Sequence, residues 1–202
     1  MKAPQWLNKK TRLLNLFHFF RIFEAHSQMT KAERTSLQKY AKGRKRALEI
    51  GTYMGVSANL IVKELDQQGV LYCIDPFITR KNRKNPGLVM TERDLRRNKA
   101  FERVRFLIGF STDKNIQSMV PKDIDFAFVD GDHSYEGLKN DWNLVRQKLK
   151  PGGIVCLHDT IVPSEELWRN FGSVSFYNEV IINDRDFETI DQSYSMNVLL
   201  RR

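Results

Sequence analysis

From Arg46 onward the chain alternates short apolar runs with longer stretches of helical periodicity, and few folds satisfy that alternation. Strand-like runs cover Ala47–Gly51, Val70–Asp75, Val104–Gly109, Ile124–Asp130 and Ile154–Asp159, the last entered through the turn Pro151-Gly152-Gly153. Helical stretches lie at Ser57–Gln67, near 91–100 and at Tyr135–Leu149. Strands spaced by helices predict an α/β fold: a doubly wound, mostly parallel sheet with helices on both faces. Pro163–Asn170 reads as a further short helix. Strand-like runs near 173–182 and 195–201 follow with no helix-length spacer, which predicts an antiparallel pair at one edge of the sheet. At 202 residues and 41% hydrophobic content the chain suits one sizeable domain with a proper core.

Ahead of the first strand, residues 11–25 read as an amphipathic helix rich in Leu and Phe. Thr30 is placed to cap a second helix over 31–42, with Glu33 at the capping-box position. Residues 1–45 are therefore expected to form a basic helical extension or cap on a 46–202 domain, docked on it or pairing two copies. Charge is concentrated there. Residues 1–46 hold 12 Lys and Arg against 2 Asp and Glu, and a second basic stretch runs from Arg80 to Arg105. Such patches suit anionic partners, whether phosphates, carboxylated sugars, nucleic acid or membrane surfaces, or serve only as solvated surface. No apolar run approaches the ~20 residues that span a bilayer. The N-terminus lacks the apolar core and cleavage site of a signal peptide. Cys73 and Cys156 each sit inside a strand-like run, as buried reduced thiols would. A soluble, cytoplasmic protein is expected.

Chemistry concentrates after the fourth apolar run. Phe126-Ala127-Phe128-Val129 reads as a buried parallel strand, and Asp130, Gly131, Asp132 and His133 arrive directly behind it. In an open α/β sheet, ligands bind in the crevice outside the strands' carboxyl ends. Asp130, Asp132 and His133 are thus placed at the lip of a site, the competing reading being a plain Asp/Gly turn. Glu49 through Ser57 joins the first strand to its helix, with Gly51 and Gly55 allowing a tight turn beside a helix N-terminus. The spacing departs from G-x-G-x-x-G and lacks the Lys-Ser/Thr of a P-loop, which weakens an NAD or ATP reading. Asp75 ends the second strand about 20 residues after that loop, where a carboxylate can accept hydrogen bonds from a ribose diol. Together these features favour a ribose-bearing cofactor.

Glu49-x-Gly51-x-x-x-Gly55, Asp75, the strand ending in Asp130, and Pro151-Gly152-Gly153 resemble class I S-adenosylmethionine-dependent methyltransferases over residues 46–160. The resemblance implies a Rossmann-like sheet of seven strands in the order 3-2-1-4-5-7-6 with one antiparallel strand. It implies that the loop carrying Glu49, Gly51, Thr52, Tyr53, Gly55 and Ser57 holds the methionine part of S-adenosylmethionine, and that Asp75 holds its ribose. Gly109-Phe110-Ser111-Thr112 is similar to the Gly-x-Ser segment beside adenine in the catechol-type branch, which makes Ser111 a cofactor contact. Asp130-Gly131-Asp132-His133 resembles the Asp-x-x-Lys segment of catechol- and caffeoyl-CoA-type O-methyltransferases, with His133 standing where their catalytic Lys stands. The whole Asp-Gly-Asp-His-Ser-Tyr-Glu-Gly run is most similar to macrocin-type and other sugar O-methyltransferases. His158-Asp159 occupies the place of an Asp-Asn metal pair. The implied ligand set is Asp130, His158 and Asp159 around Mg²⁺ or another divalent cation, with His158 as a structural imidazole in the competing reading.

Methyl transfer from a sulfonium is an in-line displacement, needing an aligned oxygen and a partner for its proton. His133 is expected to act as general base, with Asp130 and Asp159 beside it. A small-molecule acceptor, a sugar or polyol with an anionic handle, is the first reading. A nucleic-acid methyltransferase and a non-catalytic binding module are the others. The basic N-terminus permits the former, but no Asn/Asp-Pro-Pro-Tyr motif or RNA-binding module accompanies it. The intact Asp130, His133 and Asp159 speak against the latter.

Overall fold

The computed structural model describes residues 27–78, 85–164 and 171–202. The helix expected at 11–25, residues 80–84 of the second basic stretch and most of the helix expected at Pro163–Asn170 lie outside these. Five parallel strands, β1 (Arg46–Ile50), β2 (Val70–Asp75), β3 (Val104–Ile108), β4 (Ile124–Val129) and β5 (Leu149–Leu157), share a sheet with β6 (Phe187–Ser193) and β7 (Met196–Arg201). The order is β3-β2-β1-β4-β5-β7-β6, and β7 runs antiparallel to both neighbours. All six residues of β4 are buried, as a central strand covered on both faces requires. Asp125 is the polar exception. Its carboxylate accepts the backbone N–H groups of Lys45 and Arg46 at 2.9–3.1 Å and so fixes the start of β1 against β4.

Helices α1 (Lys31–Ala41), α2 (Val56–Glu64) and α3 (Pro86–Arg97) cover one face, where Leu37, Ala58, Ile61 and Leu95 are buried. Helices α4 (Lys114–Met119), α5 (Tyr135–Lys148) and α6 (Gly172–Glu179) cover the other, burying Ile116, Leu138, Trp142 and Phe176. Helix α1 begins as expected. Thr30 accepts from Glu33 N, and the Glu33 side chain returns to Thr30 N. Among the described residues, no helix is long and apolar enough to cross a membrane.

One expectation is overturned. The stretch near 173–182 is α6 and a short 3₁₀ turn (Ile181–Asn183), not a strand, and the partner of β7 is Phe187–Ser193. Val174 and Phe176 alternate like a strand and favour β structure on propensity, but Ser173, Val174, Phe176 and Tyr177 are buried together, a helical spacing. In β6 only Phe187 is buried, so the true strand carries almost no apolar signal. The same geometry positions the site: the carboxyl ends of β1, β2, β4 and β5 open onto one rim, and the start of α6 folds across it.

Candidate active site

A cleft of about 660 Å³ opens at that rim, within the size range of small-molecule sites. Gly51, Thr52, Tyr53, Ser57, Asp75, Ser111, Asp130 and His133, all singled out in the sequence, line it. Glu49, Gly55, His158 and Asp159 lie behind its wall. Gly51 has φ +89°, and a Cβ there would collide with the Asp130 carbonyl on the neighbouring strand. Gly55 caps α2 at φ +76°, where a Cβ would strike the Thr91 side chain of α3. Both glycines therefore let the β1–α2 loop lie flat against its surroundings, leaving the cleft open above it.

Asp75 organises that loop. Its Oδ2 accepts the N–H groups of Thr52 and Tyr53, both at 2.9 Å, and its Oδ1 accepts Phe77 N at 2.7 Å. Three backbone donors on one carboxylate leave it a single lone-pair direction for a ligand. Asp75→Ala is expected to lower stability by about 1–3 kcal/mol in urea denaturation. Asp75→Asn should recover only the part that one amide oxygen can accept, and full recovery would show that the loop does not depend on these bonds. Beneath the loop, Glu49 is buried with Oε2 accepting from Thr52 Oγ1 at 2.8 Å and Oε1 unpartnered. Burial pushes its carboxyl up to about 7, against the opposing pull of Ser57 and Thr52. Asp141 of α5 lines the far wall and was not anticipated. It accepts a short hydrogen bond from Ser111 Oγ and is pushed up to about 6 by burial. A carboxylate among the buried Leu138, Trp142 and Val145 of one helix face is the signal that could have found it.

At the opposite end, His133 sits at the rim, one-third exposed. Its Nδ1 lies 3.6 Å from Asp159 Oδ2 and its Nε2 3.9 Å from Asp130 Oδ1. Phe171 stacks on the ring, with centroids 5.2 Å apart and planes 28° from parallel. Ser173 holds the backbone of both partners, donating its N–H to the His133 carbonyl at 2.9 Å and its Oγ–H to the Asp159 carbonyl at 2.6 Å. Asp159 itself is buried and held at φ +50°, a left-handed conformation that a non-glycine residue keeps only when its surroundings enforce it. Ser173 escapes sequence reasoning because the run near 173–182 that it opens reads as a strand, and Phe171 falls just ahead of that run.

Behind His133 lies His158, 3% exposed. Its Nδ1 faces Asp130 Oδ1 at 3.0 Å and Asp159 Oδ2 at 3.6 Å, and its Nε2 faces Glu33 Oε1 at 3.4 Å. Glu33 reaches in from the first turn of α1. Its Oε1 accepts from Ser195 N and Oγ at 3.1 and 2.7 Å, its Oε2 from Thr30 N and Oγ1 at 2.7 and 2.8 Å. Burial alone would lower the His158 pKa, but Asp130 and Glu33 outweigh it and raise it to about 10. Burial likewise disfavours the Glu33 carboxylate, yet His158 and Ser195 bring it down to about 2.

The ligand set expected from the resemblance is thus assembled in space. Both nitrogens of His158 face carboxylates, Asp130 on one side and Glu33 on the other. Among the described residues, no group of three or more His, Cys, Asp or Glu is arranged to hold a metal ion.

A sheet of this order, with a glycine turn after β1 and acids ending β2 and β4, defines a class I S-adenosylmethionine-dependent methyltransferase fold. The chain belongs to the methyltransferase-domain family, whose profile matches residues 48–160. An uncharacterized protein of Acanthamoeba polyphaga mimivirus is 28% identical over 115 residues, 55% of this chain and 50% of the relative. The chain spans about half the length of that curated relative. The Bacillus cereus O-methyltransferase in complex with SAH superimposes with a TM-score of 0.69 at 16% identity, covering 96% of this chain and 91% of that one. TomG from Streptomyces achromogenes, an O-methyltransferase of tomaymycin synthesis in complex with SAM, gives 0.67 at 16% identity, over 99% and 91%. A methyltransferase from Geobacter sulfurreducens gives 0.64 at 15% identity, over 100% and 91%. At these identities the likeness is one of fold.

Proposed function

We propose that this chain transfers the methyl group of S-adenosylmethionine to a hydroxyl oxygen of a small polar acceptor, a sugar or polyol, with His133 as general base. The observation that carries the reading is the placing of His133 at the cleft rim between two carboxylates, those of Asp130 and Asp159. The cofactor supplies an electrophilic methyl on a sulfonium. The Gly51–Ser57 loop receives its methionine part, Asp75 its ribose, and Ser111 with Asp141 the adenine edge. A cleft of this volume, with Gly51 in its lining, fits such a molecule. His133 accepts the acceptor's hydroxyl proton as the oxygen attacks in line. Asp159 and Asp130 stabilise the imidazolium that results, and Phe171 and Ser173 hold the ring in the attacking orientation. The basic stretch from Arg80 to Arg105 suits an anionic handle on the acceptor.

Calorimetric titration with S-adenosylmethionine and S-adenosylhomocysteine tests the cofactor. Transfer of labelled methyl to a panel of sugars and polyols, in EDTA throughout, tests the acceptor class. Saturable binding followed by transfer to a hydroxyl is expected. Absence of both heat and thermal shift would remove the proposal.

A further inference from the structure

The end of β5 carries a charge arrangement with its own chemistry. His158 is buried with its two ring nitrogens facing carboxylates on opposite sides, Asp130 at 3.0 Å and Glu33 at 3.4 Å. Neither nitrogen has a hydrogen-bond partner of good geometry, so what faces each is the charge of a carboxylate. Glu33 is fixed as an anion by four hydrogen bonds from Thr30 and Ser195. A ring bearing one proton would turn a lone pair toward one of the two carboxylates. Only the doubly protonated ring attracts both. Three carboxylates, those of Glu33, Asp130 and Asp159, surround this one ring. A buried cluster of that sign needs an internal positive charge.

We propose that the His158 ring, clamped between Glu33 and Asp130, takes the charge-balancing and orienting place of a divalent ion, so that this site assembles and works without a metal. His158 is then a positioning residue. It holds the Asp130 carboxylate at the cleft rim facing His133, and Glu33 acts through it from α1. The inference rests on the methyltransferase reading of the site for its purpose, though not for its electrostatics.

The test is Mn²⁺ titrated into the full-length protein, followed by electron paramagnetic resonance of the free ion and by thermal melting. Wild type is expected to bind no Mn²⁺ saturably below the millimolar range. His158→Asp replaces the internal cation by a third oxygen ligand at this point. It is expected to bind Mn²⁺ at least about tenfold more tightly than wild type and to melt higher as the ion is added. Histidine-selective ¹⁵N spectra of wild type, with His158 assigned by its loss in His158→Gln, should show both ring nitrogens protonated at neutral pH. The proposal is overturned by saturable Mn²⁺ binding in wild type that His158→Gln abolishes, because the ring is then a ligand with Glu33 behind it. A bare ring nitrogen in the ¹⁵N spectrum overturns it too, as does a folded His158→Asp that gains no affinity. The two wild-type measurements hold even if His158→Asp does not fold. S-adenosylhomocysteine binding on the same samples keeps the issues separate: its absence counts against the methyltransferase reading, whereas Mn²⁺ binding alongside it counts against this inference only.

Discussion

Glu33→Ala is expected to destabilise the protein by about 3–5 kcal/mol, the range for removing one partner of a buried ion pair. The side chain is fully buried, accepts four hydrogen bonds and faces His158, so alanine leaves Ser195 and Thr30 with unmet donors and His158 with one carboxylate fewer. Urea denaturation measures the effect, and a double-mutant cycle with His158→Gln isolates the pair. A coupling below about 0.5 kcal/mol would show that the two act independently. The effect carries a pH signature with opposite signs on its two flanks. The Glu33 carboxyl titrates at about 2 in the fold against an ordinary 4.5, so its contribution is present above 4.5 and lost as pH falls through 2. The His158 imidazole titrates at about 10 against 6.5, so its contribution is present below 6.5 and lost as pH rises through 10. Both are whole between pH 4.5 and 6.5. The gap between wild type and Glu33→Ala should be widest there and narrow toward pH 10.

His133→Ala should leave the fold and cofactor affinity in place and lower kcat by roughly 10²–10⁴-fold, the usual contribution of a positioned general base. The ring is one-third exposed and contributes to neither core cluster, so its removal costs little stability. Added imidazole should restore part of the lost rate, because the space beside Phe171 and Asp159 remains shaped for a ring. A drop in S-adenosylmethionine affinity matching the drop in rate would instead make His133 a binding residue. Turnover left within about threefold of wild type would discard the assignment.

Much of the scaffold is written locally. Phe126 to Val129 announces a central strand by composition alone, and Gly51, Gly55 and Asp75 sit where chain geometry demands small residues and a loop-binding acid. Asp130 and His133 are legible because a strand must end where they begin. What the chain conceals is whatever depends on contacts distant in sequence. Glu33 looks like an ordinary helix start, since nothing near it reveals that Ser195 and His158 will close over it. Ser173 opens a run whose Val and aromatic residues favour a strand, and only packing on α5 makes it helical. The six-residue α4 buries one side chain, Ile116, too little to leave a periodic trace. His158 shows the same limit in chemistry: its place after β5 is legible, whereas Glu33 and Asp130, whose carboxylates face its two nitrogens, are far from it in the chain.

One carboxylate both opens α1 and underlies the rim of the cleft, and this bears on how such a fold can be cut and recombined. A chain begun at Arg46 would retain every strand, the glycine turn and His133, while surrendering the acid on which His158 leans. It would also strip Leu37 and Ala41 from the face they cover. The seam that looks cleanest in the sequence therefore parts the buried Glu33–His158 contact. Any graft, fusion or shortened version meant to keep the chemistry must carry Thr30 to Ala41 with the sheet, because the architecture can be inherited without the counter-charge that aims Asp130.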